Sequence, residues 1–395
     1  MNEFDKAMRI LKRTGNISRF PVSNTSRRKN VLVSGDDSAQ WSLVIKGAVA
    51  AGKTVIVSTL GEADQILSVL DGLCTYTVIS DEGSAPYNPF TQSESVISEM
   101  LMSICGQTSP GVRVLVRIVA QIAALDKYLI PTLARDFVTN ETFEKSLNSL
   151  VNARKLSPNQ KESFLEKLHS YSSYYMELDS VLGDLPRFVR NAGGGRGFRS
   201  DSSLSALVSR YDAVVFLLQG NLSLRNTDKT MLKLFSLDVD KISRNGISLV
   251  LGDLCYQYQQ YFAHIYDVSA ANVFLHLRST ADYTDNRMYK QLIKSKFDIY
   301  CIFSHYNTDM CAFWSDTIAQ GEVADFTYSN SDANEVALHS GLFQHPMHHR
   351  QNASSVSVHF ADKNLIKPYD IRNLPRYECI FFDKESRRIM KCSIL

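Results

Sequence analysis

The segment NVLVSGDDSAQWSLVIKGAVAAGKTVIVST, residues 30–59, decides the fold of this chain. It predicts a short apolar strand that ends at Gly35, a helix after it, and a second strand at 53–59. A second helix at 61–72 and a third strand at 74–80 follow after short connections. Strands that alternate with helices in this way form a parallel sheet with right-handed crossovers.

Further along the chain, the hydrophobic pattern changes twice. Helical periodicity runs from about residue 93 to 190, and a polar, glycine-rich linker with the sequence NAGGGRGFRSDSS follows it. Alternating strands and helices then return, and the chain after residue 320 is predicted to be loop-rich and polar before a final hairpin. These changes predict an N-terminal helix and linker at 1–29, an α/β domain formed by 30–92 and 200–395, and an all-α insertion at 93–199.

The composition excludes several classes of protein. With 395 residues, 44% hydrophobic and 21% charged, the chain is globular and is neither disordered nor fibrous. Its 43 Lys and Arg against 41 Asp and Glu give a net charge of +2, which excludes a strongly basic nucleic-acid coat. Seven cysteines without a CxxC pair, no signal-peptide pattern and no long apolar run predict a cytoplasmic protein that does not span a bilayer.

Two segments compete for the role of a phosphate-binding loop. GAVAAGKT, from Gly47 to Thr54, matches the pattern GxxxxGK[ST]. A phosphate loop must follow a strand and open a helix, whereas this segment ends a helix and opens a strand. We therefore interpret GAVAAGKT as a chance match.

The required context is met by GDDSAQWS, which follows the first strand and enters the first helix. In this loop Gln40 replaces the second glycine and Trp41 replaces the lysine, while two aspartates place negative charge beside any phosphate. The sequence favours a plain strand-to-helix turn, with a degenerate phosphate loop as the functional alternative. The candidate cofactor-binding residues are Gly35, Asp36, Asp37, Ser38, Ala39, Gln40, Trp41 and Ser42.

Three further features are weaker candidates for chemistry. Asp253 follows an apolar strand, where an acidic residue of a nucleoside triphosphatase would hold Mg²⁺, and it is the one candidate catalytic residue. Arg196 and Arg199 in the linker are candidate DNA-binding residues. The histidines of HPMHH, residues 345–349, have no acidic or cysteine partner at metal-ligand spacing, so no metal site is predicted.

The order of these segments resembles the coupling-protein ATPases of type IV secretion and conjugation, the TraG/TraD family, which are relatives of hexameric DNA-pumping motors. Gly61 and Glu62 stand where that family has a Lys-Gly-Glu after its second strand. SAPYNPF at 84–90 matches the family form S-x-x-YNPL, and LIKPYDIRNLP at 365–375 matches I-x-P-x-E-I-x-x-L-P. The resemblance covers roughly residues 28–385. It implies a three-layer, P-loop-type (RecA/FtsK-like), mostly parallel sheet with an all-α insertion domain.

The chain departs from the family at the residues that handle nucleotide. Trp41 replaces the phosphate-loop lysine, Asp253 alone replaces an acidic pair, and Arg278 replaces the glutamine at the family's sensor position. The family's N-terminal membrane helices are also missing from this sequence. These departures favour a protein without ATPase activity and without a bound cofactor; ATP and Mg²⁺ would bind only if the loop still holds phosphate.

The resemblance and its departures together predict a coupling-protein-like component that binds partners, DNA or substrate. Its partners would be secretion or conjugation proteins, DNA, and further subunits in a hexamer or with an active paralogue. It would lie in the cytoplasm, at the inner face of the membrane through those partners. The alternatives are an active ATPase with an unorthodox loop, and an unrelated small-molecule enzyme whose ligand binds at the carboxyl ends of the strands.

Overall fold

The computed structural model of the chain describes residues 14–16, 30–36, 39–81, 85–193, 201–218, 226–243, 246–252, 260–262, 265–268, 272–278, 287–318, 320–335, 349–364, 366–385 and 388–393. The strands in this part of the chain are β1 Thr14–Asn16, β2 Val31–Ser34, β3 Thr54–Thr59, β4 Tyr76–Ile79, β5 Ala213–Leu218, β6 Ser248–Leu251, β7 Asn272–Leu277, β8 Ile299–Ile302, β9 Gln320–Glu335, β10 His349–Asn364, β11 Glu378–Asp383 and β12 Arg388–Ser393.

The helices share the same described ranges. They are α1 Ala39–Ala51, α2 Ala63–Leu70, α3 Glu94–Cys105, α4 Pro110–Leu125, α5 Leu129–Asp136, α6 Asn140–Asn152, α7 Pro158–Ser170, α8 Tyr175–Gly183, α9 Arg187–Asn191, α10 Leu204–Arg210, α11 Asn226–Ser243, α12 Ile265–Val268, α13 Arg287–Lys296, α14 Thr308–Ile318 and α15 Pro368–Arg372. Short 3₁₀ helices lie at Leu60–Glu62, Ser172–Tyr174 and Gln260–Phe262. No helix among these combines the length and apolar character needed to cross a membrane.

A ten-stranded sheet organises the fold, in the order β1-β12-β11-β8-β2-β7-β6-β3-β5-β4. The seven strands from β8 to β4 are parallel, while β11 is antiparallel to both of its neighbours. The strand that precedes the predicted loop, β2, lies between β7 and β8. The carboxyl ends of these three strands therefore meet at one edge of the sheet.

Both faces of the parallel sheet are covered by helices, which explains why its strands are continuous apolar runs rather than alternating ones. Val31 and Val33 of β2 pack on one face with residues of α1 and α2. Leu32 points to the other face, which packs against the helices of 94–191 and against α11 and α14. The predicted three-layer fold is confirmed.

Between Glu94 and Asn191 the described chain contains only helices and turns, as the all-α insertion requires. Hydrogen bonds hold the YNP segment before it, residues 87–89: buried Tyr87 donates its hydroxyl proton to Asp238 of α11 at 2.7 Å. Asn88 donates to the carbonyl of Lys127 at 2.6 Å. The segment YNP thus joins α11 to the connection between α4 and α5. The domain boundaries themselves stay a prediction.

The prediction of a loop-rich polar region after residue 320 was wrong. Strands β9 and β10 pair antiparallel over sixteen residues each, with Tyr328 opposite Val356 and Phe326 opposite Val358. Apolar residues do alternate with polar ones here, but the many Ser, Asn and Asp residues masked that period of two. The final hairpin was predicted correctly, as β11 and β12, whereas the pairing of β1 with β12 was not predicted.

Candidate functional site

The candidate loop begins directly at the end of β2. The backbone N–H of Gly35 donates to the carbonyl of Leu277 at 3.0 Å, and that of Asp36 donates to the carbonyl of Ser304 at 3.3 Å. Both donors are therefore engaged by the chain at the ends of β7 and β8. A phosphate cradle needs N–H groups that point into the loop. Residues 37 and 38 lie outside the described residues, and α1 begins at Ala39.

Glycine is required at residue 35 because of close packing. A Cβ atom added there would lie 2.2 Å from Nε2 of Gln40 and 2.6 Å from Cβ of Phe303. Gln40 is itself buried, and its side chain occupies the space immediately beside the start of the loop. The residue that replaces the second glycine of a phosphate loop therefore fills the volume that a glycine would leave open.

Trp41, at the position of the phosphate-loop lysine, points into the core. Its side chain is fully buried, and its ring centroid lies 4.6 Å from that of His276 on β7. The indole Nε1 donates to Oε1 of Glu62 at 3.1 Å. Ser42, at the last loop position, is half-buried.

Glu62 is a buried carboxylate, with only 3% of its surface exposed. Ser58 at the end of β3 donates to its Oε2 at 2.5 Å, and the Arg278 guanidinium lies 3.3 Å from its Oε1. A buried charge is tolerated only with such partners. Gly252 belongs to the same cluster, because a Cβ there would meet Oγ of Ser58 at 2.4 Å.

Two buried histidines border this cluster. Nε2 of His276 lies 3.2 Å from Oε1 of Gln40, and Nε2 of His305 lies 3.0 Å from Oγ of Ser34. Burial, reinforced by the positive charge of Arg278 and by His305, lowers the pKa of His276 to about 3. Burial also lowers the pKa of His305 to about 4, against the opposing effect of Asp36. Both rings are therefore neutral at pH 7.

A cleft of about 560 Å³ opens beside the loop, at the carboxyl ends of β2, β7 and β8. Arg278 leaves β7 into this cleft and donates to Oε1 of Gln65 at 3.0 Å. Tyr377 lies on its rim in a tight turn, with a positive φ of 68° and with Glu378 N–H donating to Pro375 O at 3.0 Å. The other lining residues include Asp36, Ser304, Tyr306 and Arg376. The guanidinium groups of Arg278 and Arg376 give the cleft positive charge, which favours binding of an anionic group.

The structure brings together only some of the predicted residues. Gly35, Asp36, Gln40 and Trp41 lie at the loop, and Arg278 joins them through Glu62. The predicted residues Asp37, Ser38, Asp253, Arg196 and Arg199 lie outside the described residues, as does the side chain of Ala39.

Sequence reasoning missed the role of several residues in this cluster. Glu62 was noted for the resemblance but not as a residue of the site, although it is the centre of the polar cluster. The other missed residues are Ser58, Gln65, His276, His305 and Arg376. For Ser58, His276 and His305 the available signal was position, because each stands at or just after the end of a parallel strand. Gln65 lies inside α2 and Arg376 lies before the antiparallel strand β11, so this signal did not reach them.

The competing segment GAVAAGKT lies elsewhere. Gly47 is inside α1, and Lys53 stands before β3, where its Nζ pairs with Oδ1 of Asp212 at 3.0 Å. Asp212 precedes β5, so this ion pair joins the amino ends of two parallel strands. That edge is opposite to the cleft. GAVAAGKT therefore ends a helix and opens a strand, as the sequence predicts, which is the reverse of the order in a phosphate loop.

Among the described residues, no group of three or more His, Cys, Asp and Glu side chains is arranged to hold a metal ion. Residues 345–348 of the histidine-rich segment are outside the described residues, and His349 is the first residue of β10.

No family model and no curated protein matches this sequence. Among solved structures, the unbound monoclinic form of the bacterial conjugative coupling protein TrwBdeltaN70 matches 94% of this chain and 90% of its own, with 13% identity and a TM-score of 0.51. This chain has the fold of a conjugative coupling protein. The resemblance predicted from the short motifs is thus confirmed for the fold.

Two further solved structures are similar to this chain at lower scores. The plasmid coupling protein TrwB in complex with ADP and Mg²⁺ has a TM-score of 0.48, and TrwB in complex with the non-hydrolysable GTP analogue GDPNP has one of 0.47. Each match has 14% identity and covers 98% of this chain and 92% of the other. At such identities the similarity concerns the fold and not the chemistry of the site.

Proposed function

We propose that this chain is a coupling-protein-like component of a conjugative or type IV secretion system, that it acts by binding partners, DNA or substrate, and that its nucleotide site no longer holds a triphosphate. The fold that it shares with a conjugative coupling protein supports the first part. The hydrogen bond from buried Trp41 to buried Glu62 supports the last part and carries the proposal.

The physical argument concerns charge. In a phosphate loop the lysine ammonium reaches the β- and γ-phosphates, and its charge offsets theirs. An indole is neutral and has one N–H donor, and that of Trp41 is taken by Glu62. Asp36 adds a carboxylate beside the loop instead of a cation. A triphosphate at this loop would meet repulsion without the compensating ammonium.

Calorimetric titration with ATP and Mg²⁺, together with a phosphate-release assay, tests this proposal. We expect neither saturable binding nor turnover. Micromolar binding with turnover, both abolished by Asp253→Ala, would contradict a degenerate site. The variant Lys53→Ala is the matched control, because it removes the lysine of the chance motif at the opposite edge of the sheet.

The cleft favours one alternative, an active nucleotide site in which arginines replace the missing lysine. Arg278 and Arg376 both line the cleft beside the loop. Arg376→Gln separates this alternative from the main proposal, because it removes a cation that lines the cleft and keeps Trp41, Ser58 and Arg278, which contact Glu62. Nucleotide binding that Arg376→Gln weakens at least tenfold, with unchanged thermal unfolding, would establish the alternative.

A further inference from the structure

Helix α13, Arg287–Lys296, presents a basic face that the nucleotide site does not involve. Arg287, Lys290 and Lys294 are three and four residues apart, so their side chains share one side of the helix. With Gln291 and Ser295 they line a shallow groove of about 420 Å³. Ile293 of the same helix is buried in the core.

Within the described part of the chain, no carboxylate forms an ion pair with these three cations. Other surface lysines differ, since Lys145 pairs with Glu141 and Lys233 pairs with Glu99 at 3.2 Å. Three neighbouring positive charges that no described carboxylate pairs with repel one another. The arrangement therefore costs free energy unless an anion binds there.

Aromatic contacts hold two of the lysines in place. The ammonium groups of Lys290 and Lys294 lie 6.0 and 5.7 Å from the ring centroid of Phe313 on α14. Lys384 adds a fourth cation at the end of the face, where its Nζ donates to the carbonyl of Lys294 at 2.9 Å. A pre-organised set of cations loses less side-chain entropy when it binds an anion.

We propose that the α13 face, meaning Arg287, Lys290 and Lys294, binds the phosphate backbone of duplex DNA without sequence preference. The seven-residue separation from Arg287 to Lys294 spans about 10 Å of helix. Three steps along one B-DNA strand, from a first phosphate to a fourth at about 3.4 Å of axial rise each, span a similar distance. The inference rests on the proposed function in that it supplies a DNA partner for the proposed transfer role.

The chemistry of the face favours a duplex over other polyanions. Binding of single strands relies on exposed aromatic rings that stack with bases, and docking to a membrane surface relies on exposed apolar side chains. The five side chains that line the groove are all polar or charged. The α13 face can therefore recognise a nucleic acid only by electrostatic contacts to its phosphates.

Fluorescence anisotropy with a fluorescein-labelled, mixed-sequence DNA duplex, measured over a series of salt concentrations, tests the inference. We expect log K to fall linearly with log salt, with a slope of about −0.9 per phosphate contact and so about −2.7 for three contacts. The variant Arg287→Gln/Lys290→Gln/Lys294→Gln should lose nearly all of that slope. Lys294→Gln alone should lose about one unit.

The matched control is Lys155→Gln/Lys167→Gln/Lys233→Gln, which removes the same total charge from exposed positions elsewhere. It should keep the wild-type slope. An unchanged slope in the α13 triple variant would overturn the inference, and so would tighter binding of polyglutamate or of anionic vesicles than of the duplex. If circular dichroism shows that the triple variant is unfolded, Lys294→Gln decides the question by the same criterion.

The two proposals fail separately. Nucleotide binding in the calorimeter would contradict the degenerate site and leave duplex binding untouched. An unchanged salt slope in the α13 triple variant would overturn the DNA-binding face and leave the nucleotide result unchanged.

Discussion

Trp41 and Glu62 show how one substitution can convert a ligand-binding position into a structural one. The indole replaces a solvent-directed ammonium with a buried ring, and its N–H supplies one of the donors to a carboxylate that Ser58 and Arg278 also contact. Because Glu62 is charged and buried, each of its hydrogen bonds contributes more to stability than a bond between neutral groups.

We expect Trp41→Phe to destabilise the protein by about 1–3 kcal/mol, because Glu62 loses a donor while the ring is largely kept. Trp314→Phe is the matched control: Trp314 is equally buried but donates to a neutral hydroxyl, that of Ser34, at 3.1 Å. Trp314→Phe should lower the unfolding free energy by less, about 0.5–1.5 kcal/mol. Urea unfolding measures both, and equal losses would show that the charge of Glu62 does not matter.

Tyr377 adopts a backbone conformation that favours glycine. Its φ of 68° places a bulky residue in the left-handed region, which costs about 1–2 kcal/mol. Tyr377→Gly should therefore raise the unfolding free energy by about 1 kcal/mol. Tyr369→Gly, at another exposed tyrosine, inside α15, should lower it by about 1 kcal/mol. Thermal unfolding measures the two shifts, and a lower stability of Tyr377→Gly would contradict the assigned strain.

At the scale of elements, helix α11 is joined to the YNP segment through one buried carboxyl. Burial raises the pKa of Asp238 from 3.8 to about 6, and the hydrogen bond from Tyr87 only partly opposes this effect. Between about pH 4 and pH 6 the folded protein therefore binds more protons than the unfolded chain. Stability contributed by this group falls as the pH rises through that window.

Asp238→Asn should remove this dependence. Relative to the variant, the wild type should lose about 2 kcal/mol of unfolding free energy between pH 4 and pH 6. Urea unfolding of both proteins at several pH values gives the difference directly. Because the buried histidines titrate in both proteins, their contribution cancels in this comparison, and a flat difference would contradict the raised pKa.

At the scale of the whole molecule, the antiparallel hairpin completes one side of a parallel sheet. Strand β12 pairs with β11 and with β1, and its Cys392 is fully buried. Deletion of residues 386–395 would leave β11 as an unpaired edge with exposed apolar residues. We expect such a chain to aggregate, as size-exclusion chromatography would show. Deletion of residues 394–395 alone, which leaves β12 complete, should leave the protein monodisperse to the same extent as the full chain.

Much of the fold could be predicted from local patterns. The strand, helix and strand of residues 30–59 were predicted to within a few residues, since buried parallel strands are short apolar runs between turn residues. The ribbon of β9 and β10 was missed because its residues favour turns individually, and only pairing between the two strands makes them extended.

The amino-acid sequence by itself determined the alternation of strands and helices, the loss of the phosphate-loop lysine at Trp41 and the inverted context of GAVAAGKT. Only the tertiary structure decided that Trp41 and Arg278 both meet Glu62, which lies 21 positions after Trp41, while Arg278 lies 237 positions after it. The reason is physical: strand order depends on which crossovers pack best across both faces of the sheet. Neighbours at the carboxyl edge are therefore set by the whole sheet and not by any local segment.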